Sequence, residues 1–449
     1  MDEPFDLLLA GGACVIDGRV VETDVGVRGG RIAGLGNLRG ASAARVLDVS
    51  SLHVLPGVID TQAHFREPGT EHQEDWQTGS EAAVLGGVTS VFEMPNTIPT
   101  TADAATFADK MCRASARSWC DFALAVAGTP ENAAALPDLE RLPGCPGVNV
   151  FLGSSTASVV VDEAVLRTIL ASCRRRLTAH CEDEARIAQR RAMVEGGAPV
   201  ALHAEWRDVD AAVIATRRFL ALAGATKKRV HVMNVTTADE IPIIAANRER
   251  ATFDITPLHL TFAAPEAYAR LGSRVQTNPP VRAEAHRDAL WAAIRAGLCD
   301  VVASDHSPHT LDEKARPYPE SPSGAPGVQT LVPVMLDHVH GGRLSLARLV
   351  ELVSAGPARV FDIVGKGRIE CGYDADFSVV DLSANRTIED AWIASRVGWT
   401  PFAGLTVTGW PVFTVIRGNI VMAEGAPAGK PSGQPLRFGP LPDAAPAAA

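Results

Sequence analysis

Residues 54–69 read VLPGVIDTQAHFREPG, an apolar run that ends in a cluster of polar and charged side chains. A strand that is apolar throughout is buried on both faces, as in a parallel sheet covered by helices. Seven more runs of this kind follow: VTSVFEM (88–94), FALAVAG (122–128), GVNVFL (147–152), RLTAH (176–180), RVHVMNV (229–235), TFDIT (252–256) and CDVVASD (299–305). Each precedes a stretch of helical periodicity. Eight such units over roughly 250 residues predict a (β/α)8 barrel of the TIM type, an α/β fold, placed at 54–361. Active-site residues should then lie at the C-terminal ends of the strands.

Outside the barrel the pattern changes. Residues 1–53 contain short alternating strands with glycine turns, as in LLLAGGACVIDGRVV and DVGVRGGRIAGLG. β character returns in DADFSVVDL and LTVTGWPVFTVIRGNIVMAEG, so 1–53 and 362–425 are expected to pair into one small β-sandwich domain beside the barrel. The stretch 426–449, rich in Pro, Ala and Gly, is expected to be a disordered tail. No internal repeat or coiled coil is visible.

The 449 residues are 46% hydrophobic and 21% charged, enough for a large buried core. A net charge of -10 with interspersed signs argues against a nucleic-acid footprint and a basic membrane face, and favours small-molecule chemistry. The opening MDEPFDLLLAGG has neither the basic start of a secretory signal nor the length of a spanning helix, so a cytoplasmic location is expected. The eight cysteines are scattered without a CxxC pair, as suits a reducing compartment.

Polar residues collect at the strand ends. Gln62 and His64 are two apart on strand one, so both side chains point to one side, which is how neighbouring ligands reach one metal. Strand two ends in Glu93-Met94-Pro95-Asn96, strand five in His180-Cys181-Glu182-Asp183, and strand eight in Ser304-Asp305-His306-Ser307-Pro308-His309. A lone His at a strand end is usually structural. His on strand one, His on strand five and Asp on strand eight together point to function.

PGVIDTQAHFREPG, EMPNT, FLGSSTA, AHCEDE, TNPPVR, ASDHSPHTLDEKARPYPESPSGAPGVQT and GWTPFAGLTVTGWPV cover nearly the whole chain. In these landmarks it resembles the dihydroorotases, within the cyclic amidohydrolases. The resemblance implies a distorted barrel with a small β-sandwich built from both chain ends. It also implies two divalent metals, usually zinc, on a His-x-His pair, a carboxylated lysine, two further histidines and an aspartate. Three of these positions are intact as His64, His180 and Asp305. The other three are Gln62, Asn149 and Asn234.

Gln and Asn offer only a neutral carbonyl oxygen beside imidazole, and neither can be carboxylated. A binuclear site with a carboxylated lysine is therefore not expected; one zinc on His64, His180 and Asp305, or none, is. On the substrate side the resemblance assigns Arg66, Asn96, Asn278 and His309 to a ligand that carries a carboxylate. The loop 310–327 adds backbone contacts near Ala325 and Gly327.

The activity implied is interconversion of dihydroorotate and N-carbamoyl-aspartate, in pyrimidine biosynthesis, with Asp305 taking and returning the proton. The rival is a non-catalytic subunit, a pseudoenzyme that supports an assembly such as aspartate transcarbamoylase. A metal-free site with Asp305 and His180 as an acid/base pair is a third reading. A homodimer is expected by resemblance only.

Overall fold

The structure, a computed structural model, describes residues 3–155 and 159–441. Barrel strands one to eight are Val58–Ala63, Val88–Glu93, Asp121–Leu124 continuing as Val126–Ala127, Val148–Phe151, Leu177–His180, Val230–Met233, Ala251–Ile255 and Val301–Val302. They correspond one for one to the eight apolar runs. Neighbours pair in parallel, and the ring closes where Ala63 bridges His306 and the His64 N–H donates to the His306 carbonyl at 2.7 Å. Strand one is buried along its whole length, which is why the run reads apolar without alternation.

The surrounding helices start where the sequence supplies caps. Asp75 accepts from the Thr78 N–H at 2.8 Å to begin Trp76–Leu85, and Asp103 with Thr106 forms a capping box for Ala104–Arg117. Trp76 sits edge-on to Phe65, with ring centroids 5.3 Å apart, inside the main apolar core. No helix among the described residues is long and apolar enough to cross a membrane.

The two chain ends build one sheet of nine strands with its own apolar cluster around Leu9, Val25, Phe377 and Val415. Its central strand is His53–Pro56, which pairs with both Leu7–Ile16 and Phe377–Thr387. The small domain thus extends three residues beyond the expected boundary at 53. Not all of 362–425 stays in this sheet: Ile388, Trp399 and Phe402 pack with Leu258, Phe262 and Tyr268 of the barrel.

The expectation of a disordered tail needs correction. Ala426–Pro427 continues the small sheet, and the chain beyond it returns to the barrel, where the Phe122 N–H donates to the Gln434 carbonyl, Leu436 is buried and Phe438 meets Phe92. Residues 442–449 of that tail lie outside the described residues. The loop 310–327 is likewise ordered. Thr310 and Glu313 cap a short helix, Leu311–Lys314, and the buried Lys314 ammonium donates to the carbonyls of Gln276, Pro322 and Gly324 at 2.8–3.2 Å.

Candidate functional site

The C-terminal strand ends converge on a small cavity lined by Gln62, His64, Asn96, Phe151, Ser155, His180, Asn234, Asn278 and Asp305, with Ser307, Ser323 and Gly324 from the last loop. The chain turns sharply here. Arg66, Asn234 and Asp305 have φ of 61°, 42° and 48°. Left-handed backbone is costly for such residues and gathers at functional sites.

Asp305 is the hub. Its Oδ1 accepts from Gln62 Nε2 at 2.9 Å and its Oδ2 from Asn234 Nδ2 at 3.3 Å. His64 Nε2 stands 3.4 Å from Oδ1, and His64 Nδ1 lies 2.7 Å from Asn96 Oδ1. Burial holds the His64 pKa below its ordinary value, which favours the neutral ring.

His180 faces a different partner. Its Nε2 lies 2.9 Å from Glu182 Oε2, the oxygen that also takes Arg207 Nη2 at 2.5 Å. Burial alone would raise the Glu182 pKa, but Arg207 and His180 outweigh it and keep the carboxylate charged. Asn149 donates to Thr178 Oγ1 and to Met233 Sδ, both at 2.9 Å.

The structure therefore brings His64 and Asp305 together and does not assemble them with His180 into the expected three-ligand set. Among the described residues no group of three His, Cys, Asp or Glu side chains is placed to hold a metal ion. The physical reason is the donor chemistry: both Asp305 oxygens take amide N–H groups, and the Nε2 of His180 is turned to Glu182. These residues do not fit a zinc centre.

On the substrate side, Arg66 is 3% exposed and stands behind Ser307 in the cavity wall. Its Nη2 donates to Ser307 Oγ at 2.7 Å and lies 3.3 Å from His309 Nε2; its Nε donates to the Pro308 carbonyl at 3.3 Å. These hydrogen-bond partners are neutral, while Glu93, Asp305, Glu313 and Glu74 attract the guanidinium from further away. Burial pushes its pKa down to about 10, so it stays charged at neutral pH.

His309 also meets the Ser323 carbonyl and Gln73, and burial lowers its pKa to about 3, so it is a neutral prop for Arg66. Asn278 lines the cavity with its Oδ1 3.0 Å from His203 Nε2. Ala325 and Gly327 line an adjoining cavity that shares Asp305. The Ala325 carbonyl accepts from the Ser307 N–H and the Gly327 N–H donates to His306 Nδ1, so these backbone groups hold the loop together.

Three participants escaped the sequence reading. Ser307 and Glu182 lie inside quoted strand ends but carried no role, because the arginines they meet, Arg66 and Arg207, are remote in sequence. Arg207 is in no motif, and only the fold places it beside Glu182.

The chain belongs to the amidohydrolase family, whose profile matches residues 53–421, and within that family it is a dihydroorotase-like cyclic amidohydrolase. It is 34% identical over 417 residues to the dihydroorotase of Methanosarcina mazei, covering 90% of this chain and 91% of that one. To the L-hydantoinase of Paenarthrobacter aurescens it is 30% identical over 440 residues, covering 94% and 95%. The solved L-hydantoinase (dihydropyrimidinase) from Arthrobacter aurescens superposes with a TM-score of 0.93 at 28% identity, over 96% of this chain and 99% of that one.

Proposed function

We propose that this cavity takes a cyclic amide bearing a carboxylate, dihydroorotate or its ring-opened form N-carbamoyl-aspartate, and interconverts the two. The observation that carries this reading is Arg66: a buried guanidinium at the barrel mouth whose hydrogen-bond partners are all neutral. Glu93, Asp305, Glu313 and Glu74 attract this cation only from beyond ion-pair distance, and a carboxylate ligand supplies a direct partner with matching geometry. Asn96 and Asn278 line the cavity on whose Ser307 wall Arg66 stands, and can donate to and accept from the ring.

The residues present do not fit a zinc pair or the single zinc on His64, His180 and Asp305, so the chemistry falls to the side chains. Asp305, with neutral His64 at 3.4 Å, accepts a proton from water as it attacks the ring carbonyl and returns it to the departing nitrogen. Without a metal to generate hydroxide, turnover should be slow.

A second reading, a ligand-binding subunit without turnover that supports an assembly such as aspartate transcarbamoylase, is favoured by the amide donors on both Asp305 oxygens. An assay of dihydroorotate cleavage, with and without added zinc, separates the two. Asp305-dependent turnover supports the enzyme. Ligand binding with no turnover under either condition supports the subunit, and loss of both binding and turnover overturns the proposal.

A further inference from the structure

Three of the six positions at which the family resemblance leads one to expect metal ligands carry amides, and the orientation of two of them is fixed by chemistry. A carboxylate oxygen accepts and never donates when ionised, so each amide that meets Asp305 must turn its NH2 toward it. Gln62 does so at Oδ1 and Asn234 at Oδ2. The consequence is that Gln62 Oε1 and Asn234 Oδ1 are acceptors. Both are buried without a hydrogen-bond partner among the described residues, in residues 4% and 1% exposed that line the same cavity. Native proteins seldom leave buried acceptors unpaired, because an unmet acceptor costs much more than a made bond returns.

Asn149 Oδ1 is a third buried oxygen without a partner; its NH2 is held by Thr178, whose hydroxyl donates to the Val148 carbonyl and so accepts from Asn149. The two amide carbonyls of Gln62 and Asn234 beside one carboxylate have a single chemical demand, which is for hydrogen-bond donors. They make a poor zinc site, because neutral amide oxygens bind zinc weakly and all the ionised charge sits on Asp305.

We infer that Gln62 and Asn234, oriented by Asp305, form a recognition site for the N–H groups of a cyclic ureide, standing where the family resemblance would put metal. This rests on the ligand class proposed above and adds its polarity: Arg66 takes the carboxylate, and the amide oxygens take the ring N–H edge. Specificity of this kind is strong, because an analogue lacking the N–H leaves the acceptors buried and unmet.

The test is calorimetric titration of the full chain, treated with chelator, with dihydroorotate and with its N1,N3-dimethyl derivative, which keeps ring and carboxylate but has no ring N–H. Dihydroorotate should bind about tenfold or more tightly than the dimethyl probe, one unmet acceptor being worth about 1.4 kcal/mol or more. Gln62→Leu and Asn234→Leu should each shrink that difference by about half on a logarithmic scale while leaving the dimethyl probe's affinity within about threefold, the scatter expected of such values. Equal affinity of the unsubstituted protein for the two compounds overturns the N–H site and leaves the carboxylate reading standing. Binding of neither compound overturns both. Binding of dihydroorotate that appears only after zinc is added also overturns the inference.

Discussion

Asp305 sits at the centre of the site through contacts that single substitutions can separate. Asp305→Asn keeps the shape and removes the proton carrier, so any turnover should fall by about 100-fold or more while the melting temperature changes little. An unchanged rate contradicts the role given to Asp305. Arg66→Met removes the cation and keeps most of the stem; affinity for dihydroorotate should fall roughly 30-fold or more, read by calorimetry. Equal affinity would remove the carboxylate anchor. The residues that carry these predictions were legible as strand-end polar groups, and Gln62, Asn149 and Asn234 stood out as departures. Their bonding was not legible, because whether His180 meets a metal or Glu182 depends on Arg207, 27 residues further along the numbering and brought close only by folding.

At the scale of elements, the loop 310–327 yields a pH prediction. Lys314 is buried among carbonyls, and burial lowers its pKa from 10.5 to about 7. The unfolded chain therefore binds more protons than the folded one between about pH 7 and 10.5, and this lysine makes stability rise with pH across that window. The melting temperature of the unsubstituted protein minus that of Lys314→Met should increase from pH 7 to pH 9. A difference that stays constant with pH contradicts the assignment. The prolines and glycines of 317–327 carry no local sign of this tie, in which a single lysine holds carbonyls of two segments. The barrel strands were legible for the opposite reason, since burial on both faces is written directly into runs such as VTSVFE.

For the whole molecule, the returning tail shows how far a local reading reaches. Pro, Ala and Gly outnumber apolar anchors in 426–449, yet Leu436 alone is 2% exposed and joins Phe92 and Phe361 in one cluster. Leu436→Ala should lower unfolding stability by about 2–4 kcal/mol in urea titrations. A change near zero would mean that the tail is not held against the barrel in solution. The small sheet, by contrast, was anticipated from both chain ends, because alternation and glycine turns are local signals.

The account as a whole holds that an amidohydrolase barrel recognises a carboxylate-bearing cyclic amide through its own side chains, with amides where metal ligands are expected. The most direct test is elemental analysis of chelator-treated protein combined with calorimetric titration of the same sample with dihydroorotate. Negligible zinc with ligand binding retained is the result predicted. Zinc that survives chelation at about one or two ions per chain, the stoichiometry of a catalytic site, or ligand binding abolished by chelation and restored by zinc, would contradict it.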